Sequence, residues 1–467
     1  MKYIIISALL LCNVICNAQP VKTAPPPGAD QVAKDKARSA KGDTAAMFHM
    51  GLYYCYGQGM PQDFLKAKVW LQKAADKGHT GAMDQLGIMN LAGKGGKKDP
   101  VKALAYFRKA AKKGDAIAMN EIGIMYEEGN GVPKDMTEAI KNYQAAAEKG
   151  NTEAMNSLAL CYAKGNGVPK DLQAASKWLQ RAAETGDPLA AVDLASFYRT
   201  PELGNDCKKA MEWYMKARDM GDTASLPAVG EIAMEGKCKD VDMKPVAEWM
   251  KKYADRDDVD ASYFMAAFYS EAVGVERNYT KSMNLLMKSA DLLIKHNVKD
   301  NEAIGELFDM YGSGNLVSSE METLLKWLEE TADKVNDAGM MAGIGYIYTN
   351  KENATKRDYT KAMSWSMKAS EKGSPTGYYN VGYLYANGLG VMQDDKKGFE
   401  WIMKAADKGD RVAMRTIADF YENGQGVARN HAKAVEWKAK AKQGEKPAQR
   451  GEAPMESREP RDNRDKR

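Results

Sequence analysis

The sequence predicts an all-α protein, a right-handed superhelical α-solenoid of about eleven helix-turn-helix repeats. Three observations predict it. First, the eight tryptophans share one repeat position: Trp70, Trp178, Trp213, Trp249, Trp327, Trp365, Trp401 and Trp437. Trp365, Trp401 and Trp437 follow one another by 36 residues, and Trp70 to Trp178 is three such steps. A tandem period in this range marks a solenoid. Second, apolar residues recur at spacings of three and four in segments such as Asp115 to Gly129, as on an amphipathic helix. Third, glycines fall at two fixed points of each period, where a chain leaving a helix needs positive φ.

The elements follow in order. Residues 1–18 read as a signal peptide: Lys2 supplies the positive start, Tyr3 to Cys16 the apolar run, and Cys16-Asn17-Ala18 the cleavage region. The rival reading, a lipoprotein signal with Cys16 acylated, has no small residue just before the cysteine. No other stretch is apolar enough to span a bilayer, so no transmembrane segment is expected. Residues 19–28 form a Pro-rich linker and 29–42 an N-terminal capping helix. Residues 43–186 are regular repeats, 187–373 divergent repeats, and 374–442 regular repeats again. The tail, 443–467, is charged and nearly free of apolar residues, and is expected to be disordered. A net charge of +4, with both signs mixed along the chain, offers no basic stripe for nucleic acid.

Each repeat has an A helix, a turn and a B helix. In Gly129-Asn130-Gly131-Val132-Pro133-Lys134-Asp135 the glycine ends helix A, and Asp135 suits the N-cap of helix B. Helix B runs from Met136 to Lys149 and stops at Gly150. Glycine or alanine recurs inside helix A, at Gly51, Gly87, Gly123, Ala159, Ala267, Gly382 and Ala418. An interior glycine costs about 1 kcal/mol of helix stability, so its repetition predicts a close neighbour. The middle departs from the pattern. Leu203-Gly204-Asn205-Asp206-Cys207 replaces the usual turn, and Leu285 stands where tryptophan would. Lys351 takes a turn-glycine position, and Asp291 to Asn297 lengthens a B helix.

An A helix ending Tyr-x-x-Gly, the Gly-x-Gly-Val-Pro-x-Asp turn, and a B helix reading Ala-x-x-Trp-x-x-x-Ala-Ala-x-x-Gly resemble the Sel-1-like repeat (SLR) family, relatives of the tetratricopeptide repeat. The resemblance covers about Asp43 to Lys442. It implies a scaffold or adaptor without catalytic residues, binding a protein or peptide partner on the concave face. With the signal peptide, it implies export to the periplasm or beyond, in a bacterial envelope. The alternative is a secreted module binding or acting on peptidoglycan or β-lactam-type ligands; the chain has no Ser-x-x-Lys string to support it. A lumenal quality-control adaptor, the third reading, would carry a membrane anchor or a retention signal. The chain ends Arg464-Asp465-Lys466-Arg467 instead.

Candidate sites are few. The tryptophan stripe is expected to be structural core, since alanines follow each ring one turn on. Phe48, Tyr56 and Tyr379 lie off the repeat pattern; exposed, partner-binding aromatics and ordinary surface variation are both open there. Cys207 and Cys238 fall in or beside the A–B turns of adjacent units. A disulfide and two separate thiols are both open there, and an exported compartment permits the bond. His49, His79, His296 and His431 are dispersed, without metal-ligand spacing. No metal, cofactor or catalytic residue is expected. The Gly-x-Gly turns join helix to helix, unlike nucleotide-binding turns that follow strands.

Overall fold

Each repeat folds because its turns are chemically marked. Asp115 caps the A helix Ala116–Glu128 by accepting from the backbone N–H groups of Ile117 and Ala118. Gly129 ends that helix at φ +75°. The chain then turns until the Asp135 N–H donates to the Tyr126 carbonyl at 3.0 Å, and Asp135 caps the B helix Met136–Glu148. The same closure joins Asp63 to Tyr54, Asp171 to Tyr162 and Asp394 to Tyr385.

The computed structural model describes residues 29–238, 241–298, 302–350 and 358–442. The expected signal peptide, linker and tail, and Lys351, lie outside the described residues. Among those described are 23 α-helices and no strand. In chain order they read as one helix, Ala29–Ala40, followed by eleven A–B pairs. They form an α-solenoid packed as two compact units, divided between Val241 and Asp242.

The recurring small residue inside helix A is where the two helices of a repeat meet. A Cβ at Gly51 would stand 2.6 Å from the Leu71 side chain. At Gly87 it would meet Phe107 at 2.5 Å, at Gly123 Tyr143 at 2.5 Å, and at Gly382 Ile402 at 2.5 Å. Leu71, Phe107 and Tyr143 are fully buried. Each glycine trades helix propensity for a cavity that a large B-helix side chain fills. Consecutive repeats are tied in a second way. The Lys77 ammonium donates to the Gly42 carbonyl at 3.0 Å, and Lys288 to the Ala254 carbonyl at 2.7 Å. A cation at the end of the preceding helix also suits the helix dipole.

The tryptophans stand beside this core more than within it. Trp213, Trp249 and Trp365 are buried. The expectation of a buried stripe is corrected for Trp70, Trp178, Trp327, Trp401 and Trp437, which are half-buried. Alanines such as Ala74, Ala182 and Ala405, with no exposed surface, fill the inside of each turn. The rings roof them, and a cation three residues later covers the outer face. Lys73 lies 4.5 Å from the Trp70 ring centre, Arg181 4.6 Å from Trp178, and Lys216 3.9 Å from Trp213. Lys368, Lys404 and Lys440 cover Trp365, Trp401 and Trp437 at 4.1, 3.9 and 4.3 Å.

The first helix docks through one carboxylate. Asp35 is fully buried, and accepts from the Tyr53 hydroxyl at 2.8 Å and the Gln31 amide at 3.1 Å. Burial opposes its charge, but the bonds from Tyr53, Gln31 and His49 outweigh it and hold its carboxyl below the usual range.

The middle uses other helix stops. The B helix Tyr279–Lys295 is longer, as its sequence predicts, and Asn297 leaves it at φ +58°. Asp257, Asn336 and Ala272 take positive φ near +60° where regular units have glycine. Asn and Asp tolerate that region better than alanine does, so Ala272 is a strained stop. A 3-10 turn, Pro201–Leu203, builds the departing Leu203–Cys207 loop.

Gly123→Ala tests the close approach. An alanine normally strengthens a helix, yet its methyl here would press on the Tyr143 ring. The expected outcome is a loss of about 1–3 kcal/mol in urea unfolding, the range for overpacking.

Candidate functional site

One register position of the A helices links each repeat to the next. In four consecutive A helices it holds Phe48, Asp84, Asn120 and Asn156, at intervals of 36. Each meets the start of the following A helix. The Phe48 ring stacks on His79 with centroids 4.4 Å apart. Asp84 faces the carboxylate of Asp115. The Asn120 amide donates to Glu153 at 3.2 Å, and the Asn156 amide to Asp187 at 2.8 Å. Asp115 and Asp187 are the N-caps of their helices, and His79 caps its own, its Nδ1 accepting from the Ala82 N–H. Each cap therefore bonds its own helix and also faces the previous one.

The ladder is acidic and short of donors. Asp84 and Asn120 are almost wholly buried. The Oδ1 atoms of Asp84, Asn120 and Asn156 have no hydrogen-bond partner among the described residues. Burial, then the charges of Asp115 and Glu121, push the Asp84 carboxyl up to about 8. Burial, then Glu153 and Glu128, raise Glu121 to about 7. Burial, then Asp187, raise Asp193 to about 6. Residues 80–193 thus carry a line of carboxyl groups whose charging is opposed by desolvation and by one another.

The residues singled out in the sequence fall elsewhere. Phe48, Tyr56 and Tyr379 are half-buried, which corrects the reading of them as exposed aromatics. Phe48 and Tyr56 pack against the core of their repeats, and Tyr379 stacks on Tyr383 at 6.4 Å. Cys207 and Cys238 are brought together with Cα atoms 5.8 Å apart, in disulfide geometry. Cys55 and Cys161 are free and buried, and burial pushes both thiols up to about 11. Among the described residues no group of three or more His, Cys, Asp and Glu side chains could hold a metal ion. No described helix is long and apolar enough to cross a membrane. The ladder was not among the sites expected from the sequence, where Phe48 stood out only as an aromatic off the repeat pattern. The available signal was a polar residue recurring at an inward position of apolar helices.

Paired helices, turns closed by glycine in the regular repeats and a register held between neighbours define a helical-repeat protein. The Sel1 repeat model matches residues 44–79, 80–115, 116–151, 152–187, 188–222, 259–292, 339–374, 375–410 and 412–443. The chain belongs to the Sel1 repeat family. Members of this family mediate protein–protein interactions and are generally non-catalytic scaffolds, so the repeats imply protein partners. Over 52 residues the chain is 42% identical to the Arabidopsis thaliana ERAD-associated E3 ubiquitin-protein ligase component HRD3B. That stretch is 11% of this chain and 9% of that protein. Among solved structures, c5321, a protective antigen of uropathogenic Escherichia coli with an SLR fold, is similar at 25% identity. It covers 88% of this chain and 86% of its own, with a TM-score of 0.43. A Sel1 repeat protein from Oxalobacter formigenes is 35% identical over 43% of this chain and 82% of its own, with a TM-score of 0.39.

Two measurements follow. Asp84→Asn installs the residue that Asn120 and Asn156 already provide. The Asp84 carboxyl titrates near 4 when unfolded and about 8 when folded. The folded state therefore holds the extra proton, and stability falls as pH rises through that window. The variant should melt higher than the parent at pH 8, and the gap should close towards pH 4. Non-reducing mass spectrometry of protein from an oxidising compartment should find Cys207 and Cys238 joined and Cys55 and Cys161 free.

Proposed function

We propose that this chain is an exported, non-catalytic scaffold of the bacterial envelope. It binds a protein partner with a basic segment along the A-helix ladder of residues 80–193, on the concave face that such arrays offer. One observation carries this reading: along the A helices of repeats that imply protein partners, the half-exposed carboxyl groups of Glu121 and Asp193 lie beside those of Glu153 and Asp187. Lysine or arginine side chains from a partner would relieve their mutual repulsion and stabilise the carboxylates. Glu121 and Asp193 share one register position two repeats apart and are half-exposed, which suits a partner laid along successive repeats, since helical arrays present extended surfaces. Export draws support from the apolar segment Tyr3 to Cys16 and from Cys207 and Cys238, whose placement suits an oxidising compartment.

The test is fluorescence anisotropy of the full chain with labelled basic and acidic peptides of equal length. The basic peptide should bind, more weakly as salt rises. Glu121→Gln with Asp193→Asn should weaken it about tenfold, about 1.4 kcal/mol. Equal binding of both peptides, or a double variant as tight as the parent, would refute the acidic face as the docking surface.

A further inference from the structure

On the other helices of the first two repeats, several departures from the repeat pattern gather around one cleft. It lies between the B helices Phe64–Asp76 and Pro100–Ala111 and has a volume of about 410 Å³. Lys68 lines it, at a position where the next two repeats place the buried Leu104 and Ile140. Asn90 lines it where the neighbouring repeats have Tyr54, Tyr126 and Tyr162. Tyr106 replaces the tryptophan of Trp70 and Trp178. The turn above is Gly93-Lys94-Gly95-Gly96-Lys97-Lys98-Asp99, so Gly96 and Lys97 stand where Val132 and Pro133 stand one repeat on.

These changes match one another. In the regular units the turn of the next repeat closes over this position: a Cβ at Gly167 would stand 2.9 Å from Ile140. Here a Cβ at Gly96 would stand 3.4 Å from the Lys68 ammonium. An aliphatic side chain beneath the turn of the next repeat has become an ammonium beneath that turn.

The groups around Lys68 are fixed. The Asn90 amide donates to the Leu86 carbonyl at 2.7 Å, which leaves its oxygen 3.5 Å from the Lys68 ammonium. The Tyr106 hydroxyl donates to the Gln72 carbonyl oxygen at 2.5 Å, and the Gln72 amide donates to Asp76 at 2.7 Å. Lys102 and Lys73 add two more positive charges, and no carboxylate lines the cleft. Burial, then the repulsion of Lys102, lowers the Lys68 ammonium from its ordinary range against the pull of Asp99. Leu86 and Val69 supply apolar wall.

We propose that this cleft binds an oxyanion, a phosphate or carboxylate group carried by a small molecule, held by Lys68 and Lys102 against the wall of Leu86 and Val69. The site is separate from the acidic ladder: its charge is opposite and it sits between B helices. An anion there would add counter-charge beside the paired lysines, through charge-assisted hydrogen bonds. A ligand of a few heavy atoms beyond the anionic group would reach the apolar wall.

Calorimetric titration of the full chain with inorganic phosphate and, separately, with succinate tests the site, with sodium chloride holding ionic strength constant. At least one probe should bind saturably with one site per chain. The preferred probe assigns the group as phosphate or carboxylate. Lys68→Leu gives this position the residue that Leu104 provides one repeat on, so its melting temperature should equal or exceed the parent's. Its affinity should fall about tenfold or more, the loss of one charge-assisted bond. Lys112→Gln, an exposed lysine outside the cleft, should leave affinity unchanged. No saturable binding of either probe, undiminished binding by Lys68→Leu, or an equal loss in Lys112→Gln would overturn the proposal.

Discussion

The close approach of the A and B helices at one small residue is the constraint on which the rest depends. At Gly51, Gly87, Gly123 and Gly382 the helices come near enough that a methyl group would collide with the partner side chain. That contact fixes where each B helix sits, and so where its alanines fill the core and its aromatic ring roofs them. It also fixes the register of one repeat on the next, because the A–B turn must land on the preceding B helix. Interiors packed to crystal-like density leave little room for slippage. A ladder at constant spacing along the A helices is therefore a by-product of packing, available for recognition without further design.

Much of this was legible in the sequence. The 36-residue period, the cap residues and the interior glycines each have a local cause that a pattern reveals. The helix pairs, the long B helix ending near Asn297 and the unusual loop before Cys207 follow directly from those signals. The tryptophans show where reading stops. Their register was plain, but how deeply each ring is buried depends on which neighbours cover it. The cation three residues after the ring was visible after every tryptophan but Trp327, from Trp70-Leu71-Gln72-Lys73 onward, yet its role needs both side chains on one helix face.

The two polar sites were illegible for a different reason. Each is a contact between residues of successive repeats, so it appears only when the chain is stacked against itself. Asp84 looks like one more charge on a charged helix until Asp115 is set beside it. Lys68 looks like an ordinary surface lysine until Gly96 is placed above it. In a repeat protein the average unit explains the scaffold. The paired departures from that average are where chemistry specific to this chain collects.

The link between Cys207 and Cys238 carries a mechanical consequence. Helical arrays of this kind behave as soft springs, because each interface can open without breaking a covalent bond. A bond joining two residues 31 apart in sequence would route tension around the intervening segment. Pulled from its ends, the chain could peel open on either side of this clasp while the helices Cys207–Asp219 and Ser225–Met234 remained shielded from load. Reduction would return them to the extensible length, so the oxidation state of the surroundings would set how far the chain can stretch.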